Sequence, residues 1–293
     1  MKLSVPAETI AIPTADGLTL QGTRWRSSSS AASMATLPPN VVIIAHGLGE
    51  HHGRYAALAE ILATRAGSDV IAMDFRGHGR SPGRRGLVHR YDDFQTDLDA
   101  VVAWVRANYP QSPMFLLGHS NGGLIVSRWV LSHPDAAAGV VLSNPVLRLA
   151  AAAPRWKINL GRALLKIAPW VTLSTPLRPG DLTRDPQRQE SVWRDPLIHN
   201  RISPPLYFGM VAAGLETERR FEEIRCPLLL VLSGADPVVA PNATRAAFDA
   251  SANPRKSLIF LPDALHEPFQ DREGEPAMNQ VADWIAEIRS APR

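Results

Sequence analysis

An α/β fold is expected: a mostly parallel central sheet with helices on both faces and a helical lid inserted after the sixth strand. Three observations point there. Short apolar β runs alternate with longer segments of helical period, the pattern of parallel strands joined by helical crossovers. Apolar residues make up 45% of the 293, enough for a large core. The interval from Asn144 to Cys226 breaks the alternation. It exceeds by about 50 residues the roughly 30 of a simple crossover unit.

Thr9 to Pro13 and Leu18 to Trp25 read as an antiparallel pair turned at Asp16-Gly17. Residues 27–39, rich in Ser, Ala and Pro, read as a mobile surface loop. The β runs continue at Val41–Ala45, Asp69–Asp74, Met114–Leu117, Gly139–Ser143, Pro227–Leu232 and Ser257–Leu261. Helical patterns lie between them at Tyr55–Ala66, Tyr91–Tyr109, Gly122–His133 and Ala243–Ala250. A last helix covers Ala277–Ser290. The core is therefore assigned to residues 1–145 and 225–293, and the lid to 146–224.

The lid segment holds Trp156, Ile158, Leu160, Leu164, Ile167, Trp170 and Phe208. That much apolar surface must pack on the body or line a substrate channel. Leu160, Leu164 and Ile167 share one helical face, while Arg162 and Lys166 share another. Pro169 should end this helix near Ala168. Its apolar face is read as covering a pocket, with Leu164, Ile167 and Phe208 as substrate contacts. The interleaved basic residues also suit transient contact with an anionic membrane or micelle surface.

Charge narrows the function classes. The chain carries 31 basic and 28 acidic residues, a formal net charge of +3, with no dense basic block. That balance argues against nucleic-acid binding. One cysteine, Cys226, excludes an internal disulfide and fits a reducing, cytoplasmic compartment. It stands before Pro227 and a core strand, so it reads as a buried structural thiol. The first residues lack a secretory hydrophobic stretch, and no apolar run has membrane-spanning length.

The chemistry concentrates at Gly118-His119-Ser120-Asn121-Gly122, between the apolar run Met114–Leu117 and a helical pattern. A serine on a sharp strand-to-helix turn projects its hydroxyl from the sheet edge, and flanking glycines avoid collisions there. Serine is a poor nucleophile at neutral pH and needs an imidazole to take its proton. His266 follows the β run Leu258–Leu261, and Asp236 ends the run that begins at Leu229. Asp236 would orient His266 and stabilise the imidazolium. It could also cap a helix starting near Val238. Asp263, three residues before His266, is the competing acid, but reads as a turn former in the same loop. The run Val41–Ala45 leads into His46-Gly47-Leu48-Gly49. The Leu48 and Asn121 amides would then form a two-donor oxyanion hole.

Glu50, Arg54 and Phe269 are further candidates for the pocket. Glu50 and Arg54 read as a surface pair, or as polar leaving-group contacts beside the Leu48 donor. Phe269, three residues after His266, makes that side apolar. His46, His51 and His52 suggest a metal, but the loop offers no Cys or clear carboxylate set, so no metal is assigned. No organic cofactor is needed either. His46 and His78 read as satisfying backbone groups, and His119 as buried beside the serine turn.

Here the residues resemble a known family. His46-Gly47-Leu48-Gly49-Glu50-His51-His52-Gly53-Arg54-Tyr55 is similar to a loop of the monoacylglycerol lipase and lysophospholipase branch of the α/β-hydrolases, a serine aminopeptidase-like group. So is Asp74-Phe75-Arg76-Gly77-His78-Gly79-Arg80-Ser81-Pro82-Gly83, and the order Ser120, Asp236, His266 is that of the superfamily. Asp195-Pro196-Leu197 resembles a short motif of the family's cap. The resemblance covers roughly residues 40–145 and 225–290. It implies a serine hydrolase that cleaves carboxylic esters of small, amphiphilic molecules such as monoacylglycerol or lysophospholipid, through an acyl-serine. A broad carboxylesterase is the alternative, followed by a carbon–carbon bond hydrolase or a non-catalytic ligand receptor. Proline aminopeptidases share the fold, but their elbow usually reads Gly-Gly-Ser-Trp-Gly. Many relatives carry an apolar residue where this chain has Asn121, which bears on the alcohol pocket.

Overall fold

A computed structural model describes residues 5–27 and 39–290. The Ser/Ala/Pro-rich stretch 28–38 lies outside the described residues. The chain opens on the antiparallel pair β1 (Ala7–Pro13) and β2 (Thr19–Trp25). Then β3 (Asn40–Ala45), α1 (Ala56–Arg65), β4 (Ser68–Met73), α2 (Asp93–Asn108), β5 (Met114–His119), α3 (Asn121–Ser132) and β6 (Gly139–Ser143) alternate. The interval after β6 holds α4 (Arg155–Ile167), β7 (Leu173–Ser174), α5 (Pro179–Leu182), α6 (Pro186–Arg194), β8 (Arg201–Ile202) and α7 (Pro204–Arg220). The alternation resumes with β9 (Leu228–Ser233), α8 (Pro241–Ala250), β10 (Lys256–Leu261) and α9 (Gly274–Ser290).

The main sheet runs β1-β2-β4-β3-β5-β6-β9-β10. β2 is antiparallel to both neighbours, and every pair from β4 to β10 is parallel. Central strands buried on both faces must be apolar throughout, and the alternate residues of β3 divide between two cores. Val41, Ile43 and Ala45 join Phe94, Leu98, Leu124, Trp129 and Phe248 from α2, α3 and α8. Val42 and Ile44 join Leu58, Leu62, Val281 and Ile285 from α1 and α9. The parallel strands all end on one edge of the sheet, which gathers the loops after β3, β5, β9 and β10.

Periodic segments appear where the sequence places them, with ends shifted by a few residues. The proline reading holds at α4, which stops at Ile167 with Ala168 as its C-cap. The paired β7 and β8 were not legible, because two-residue strands carry no period. Cys226 is buried, and burial pushes its thiol up to about 11.

Trp129 tests the first core. Its side chain is buried, its Nε1 donates to Asp99 Oδ1 at 2.7 Å, and its ring stacks on His133. Trp129→Ala should lower unfolding free energy by about 3–5 kcal/mol. Urea unfolding measures this, and a loss below about 1 kcal/mol would contradict the packing described.

Candidate active site

The turn between β5 and α3 sets the site. Ser120 has φ 53° and ψ −118°, a conformation costly for a side-chain-bearing residue. The neighbouring chain is too close for larger residues. A Cβ at Gly118 would stand 2.4 Å from the Gly122 carbonyl oxygen, and one at Gly122 would stand 2.1 Å from the Ala45 oxygen. Backbone bonds hold the turn against β6: the Ser120 amide donates to Ser143 O, and Ser120 O accepts from Val146.

Ser120, His266 and Asp236 come together although they are far apart in sequence. His266 Nε2 lies 2.8 Å from Ser120 Oγ, and Nδ1 lies 2.7 Å from Asp236 Oδ2. All three are buried. A carboxylate can only accept, so Nδ1 carries the proton and Nε2 accepts from the serine hydroxyl. Asp236 Oδ1 takes the amides of Val238 and Val239 at 2.7 and 3.1 Å. The capping expectation is corrected here: these bonds close a turn, and the helix begins later, at Pro241. Asp263 is exposed, and the acid beside His266 is Asp236.

Burial disfavours the charged form of His266. The Asp236 carboxylate, with Glu267 and Glu50, outweighs this and holds its pKa above the ordinary histidine value. His119 is buried with its ring 5.0 Å from that of His266. Burial and His266 push His119 down to about 4, so it is neutral at pH 7.

The loop after β3 lies against the serine turn: a Cβ on Gly47 would be 3.2 Å from Ser120 Cβ. His46 accepts the Phe75 amide on Nε2 at 3.0 Å, so its Nδ1 donates to Gly47 O at 2.7 Å. In a trans peptide the C=O and N–H point to opposite sides. The Gly47 carbonyl anchored on His46 therefore turns the Leu48 N–H away from that ring. The Leu48 amide has no acceptor among the described residues. The Asn121 amide, at the first position of α3, has no intrahelical acceptor either. Asn121 is buried and its Oδ1 accepts the Tyr91 hydroxyl at 2.7 Å.

Several pocket expectations are corrected. Glu50 and Arg54 do not form a surface pair: both side chains are under 10% exposed, and Arg54 is bidentate on Glu267. Their polar atoms bond to one another, to Glu267, to Tyr55 and to the Gly47 amide. Phe269 packs in the second core with Ile259 and Met278. On α4, Gly161 is the buried position, because a Cβ there would touch the Phe208 ring at 3.2 Å. Leu164 and Phe208 are half-buried on that side. Ile167 is 72% exposed and Leu160 42%, so they face away from the body and not into a pocket.

His51 and His52 are each hydrogen-bonded to a carboxylate. His52 lies 2.7 Å from Asp74 and 3.0 Å from Thr23. His51 Nε2 lies 2.8 Å from Asp195 Oδ2, so the loop after β3 is tied to the insertion. Other ties follow the same edge: His199 N to Gly49 O, Ser203 N to Gly86 O, and Glu267 N to Leu182 O, each 2.8 Å. The insertion thus rests on the loops that carry Leu48 and His266.

Sequence reasoning missed Asn144. It has φ 41°, and its Nδ2 donates to His266 O at 2.8 Å and Ser233 Oγ at 2.9 Å. Its Oδ1 accepts the Ser233 amide at 2.9 Å. It links the end of β6 to the loops of both Asp236 and His266. An asparagine immediately after a β run, where the left-handed region is tolerated, was the available signal.

A parallel sheet with a strained serine at the β5 turn, and an acid and histidine after later strands, is the α/β-hydrolase arrangement. The family model described as "Serine aminopeptidase, S33" (Hydrolase_4) matches residues 37–273. A monoacylglycerol lipase of Mycolicibacterium smegmatis is 30% identical over 251 residues, covering 85% of this chain and 89% of the relative. Human monoglyceride lipase is 31% identical over 257 residues, covering 86% and 81%. The crystal structure of Paleococcus ferrophilus monoacylglycerol lipase superposes with a TM-score of 0.78 at 30% identity, over 97% of this chain and 99% of the other. The chain belongs to the S33 serine aminopeptidase-like family of α/β-hydrolases, in its monoacylglycerol lipase-like branch.

Proposed function

We propose that this protein hydrolyses carboxylic esters of lipid-like molecules, monoacylglycerol or lysophospholipid, through an acyl-serine on Ser120. The observation that carries the reading is the continuous line from Ser120 Oγ to His266 to Asp236, at 2.8 and 2.7 Å. The enzyme is a carboxylic ester hydrolase, and the relatives named above are lipases of monoacylglycerol.

In the proposed mechanism Ser120 Oγ attacks the ester carbonyl while its proton passes to His266 Nε2. Negative charge moves to the carbonyl oxygen, where the Leu48 and Asn121 amides receive it. The intermediate collapses, the C–O bond to the alcohol breaks, and His266 returns the proton to the leaving oxygen. Water then attacks the acyl-serine by the same path in reverse. Asp236 keeps the proton on Nδ1 and faces the imidazolium charge that forms. Its turn bonds to Val238 and Val239 fix its orientation.

The insertion serves as the lid in this reading, with Leu164 and Phe208 on its inner side. Its outer side supports contact with a lipid surface. Trp156, Leu160 and Ile167 follow one another at helical spacing along α4, and are 64%, 42% and 72% exposed. Arg155, Lys157, Arg162 and Lys166 accompany them on the same helix. An exposed apolar stripe among cations suits an anionic interface. No helix among the described residues is long and apolar enough to cross a membrane.

Three outcomes are expected. Ser120→Ala, Asp236→Ala and His266→Ala should each cut kcat by orders of magnitude, and a double variant should be scarcely worse than Ser120→Ala alone. If Asp236→Ala turns over normally on a p-nitrophenyl ester, the acid is misassigned. Because His266 must be neutral and its pKa is raised, kcat/KM should fall on acidification with a midpoint above about pH 6.5. Full activity at pH 5 would remove His266 as the base. Ile167→Asp should weaken sedimentation with phosphatidylglycerol vesicles at low salt while sparing p-nitrophenyl acetate hydrolysis. Unchanged vesicle binding would end the interfacial role of that stripe.

A further inference from the structure

Behind the oxyanion loop lies a buried charge cluster that the proposed chemistry does not use. Glu50 Oε1 accepts the Gly47 amide at 2.6 Å and the Tyr55 hydroxyl at 2.7 Å. Its Oε2 accepts from Arg54 Nη1 at 2.9 Å. The same guanidinium reaches both oxygens of Glu267, Nη1 to Oε1 and Nη2 to Oε2, at 2.6 Å each. The Arg54 carbonyl accepts Gln270 Nε2 at 2.8 Å. Burial works against the Glu50 charge, yet Arg54 holds its carboxyl well below the usual range.

Two facts of position give this cluster a role. Gly47 directly precedes the Leu48 donor, and Glu267 directly follows His266. One cation therefore joins the carboxylate that fixes an oxyanion-loop amide to a carboxylate on the loop of the base. Stability alone does not explain the composition. Two carboxylates around one guanidinium leave a surplus negative charge in a buried space, and well-packed apolar groups often do as well or better there. The surplus charge stands beside His266, the one group that must become positive during turnover. Arginine is also the side chain whose planar fork can hold one carboxylate bidentately and still reach another.

We propose that Arg54 is a positioning residue that holds the oxyanion donor and the base in register, acting through Glu50 on one loop and Glu267 on the other. The inference rests on the ester-hydrolase reading above. If Glu50 loses the charge that pairs with Arg54, its hold on the N–H side of the His46–Gly47 peptide weakens, and glycine offers no side chain to restrain that peptide. The direction of the Leu48 amide that follows then rests on the bond between His46 and Gly47 O alone.

Glu50→Gln, Arg54→Lys and Glu267→Gln are compared with the wild type on p-nitrophenyl butyrate, and by inhibition with an alkyl boronic acid that forms a tetrahedral adduct on serine. Removing one oxyanion donor outright costs about 100- to 1,000-fold. Misdirecting one should cost about tenfold or more in kcat, with KM changed by less than about threefold. Boronic acid affinity should fall in proportion to kcat. The Glu50→Gln/Glu267→Gln double variant should lose less than the product of the single losses, because both act through Arg54. The inference is overturned if the single variants melt earlier but keep kcat and boronic acid affinity within about twofold of wild type, or if their losses multiply. Should Arg54→Lys fail to fold, the isosteric Glu50→Gln and Glu267→Gln decide. A wild type that hydrolyses no ester and is unlabelled at Ser120 by a fluorophosphonate would instead sink the functional reading.

Discussion

The φ of 53° at Ser120 depends on bare backbone around it. With side chains at Gly118 or Gly122, β5 could not turn so tightly into α3, because the Gly122 and Ala45 carbonyls already fill the space. Much else follows from that close approach. It sets the serine turn against the loop after β3, where Gly47 comes near Ser120 Cβ. It puts the first amide of α3 and the Leu48 amide on neighbouring segments. Parallel strand order then delivers Asp236 and His266 to the same edge from β9 and β10. The cost of such a backbone, about 1–3 kcal/mol, is sustained by the packed strands on either side.

Buried charge is handled in two ways near this edge. Arg76 and Asp97 pair in a buried bidentate contact that Asp16 extends at its exposed end. Asp16 is exposed, so its charge is met by water, and the contact fastens the loop after β4 to α2. The Glu50–Arg54–Glu267 cluster is different, since both of its carboxylates are buried and it lies beside an imidazole. Asn144 adds an uncharged link, tying the His266 carbonyl to Ser233 on β9. The histidine loop is thus held from two directions: Asn144 from the sheet side and Arg54 from the loop after β3.

The strands of the main sheet, the helices between them, α4 and the Ser120–Asp236–His266 order were legible because each rests on a local signal. Apolar runs bounded by turns give strands, and Gly-x-Ser-x-Gly between a strand and a helix gives the elbow. What was not legible depends on distant partners. Glu50 and Arg54 are four apart and charged, which reads as a solvated pair. Only the fold shows that Glu267, 213 residues from Arg54, closes over them. Phe269 stands three residues after His266, but the intervening turn directs it into the core beside α9. Asn144 looked like an ordinary strand end, because its function lies in bonds to residues 89 and 122 positions away.

The orientation of α4 shows the same limit in another form. Periodicity groups residues into faces, but does not say which face meets the body. Leu160, Leu164 and Ile167 were grouped as an inner face. The structure instead divides them, because Gly161 is the point of closest approach to Phe208. A glycine inside a helix costs about 1 kcal/mol relative to alanine. Its presence there marks the side where α4 and α7 need to come close. With Gly161 inward, Trp156, Leu160 and Ile167 must lie on the other side, among basic residues and open to solvent. Exposing large apolar side chains at helical spacing gains the folded chain little by itself. The arrangement has a physical rationale if the helix meets an apolar phase, and the proposed substrate is itself amphiphilic.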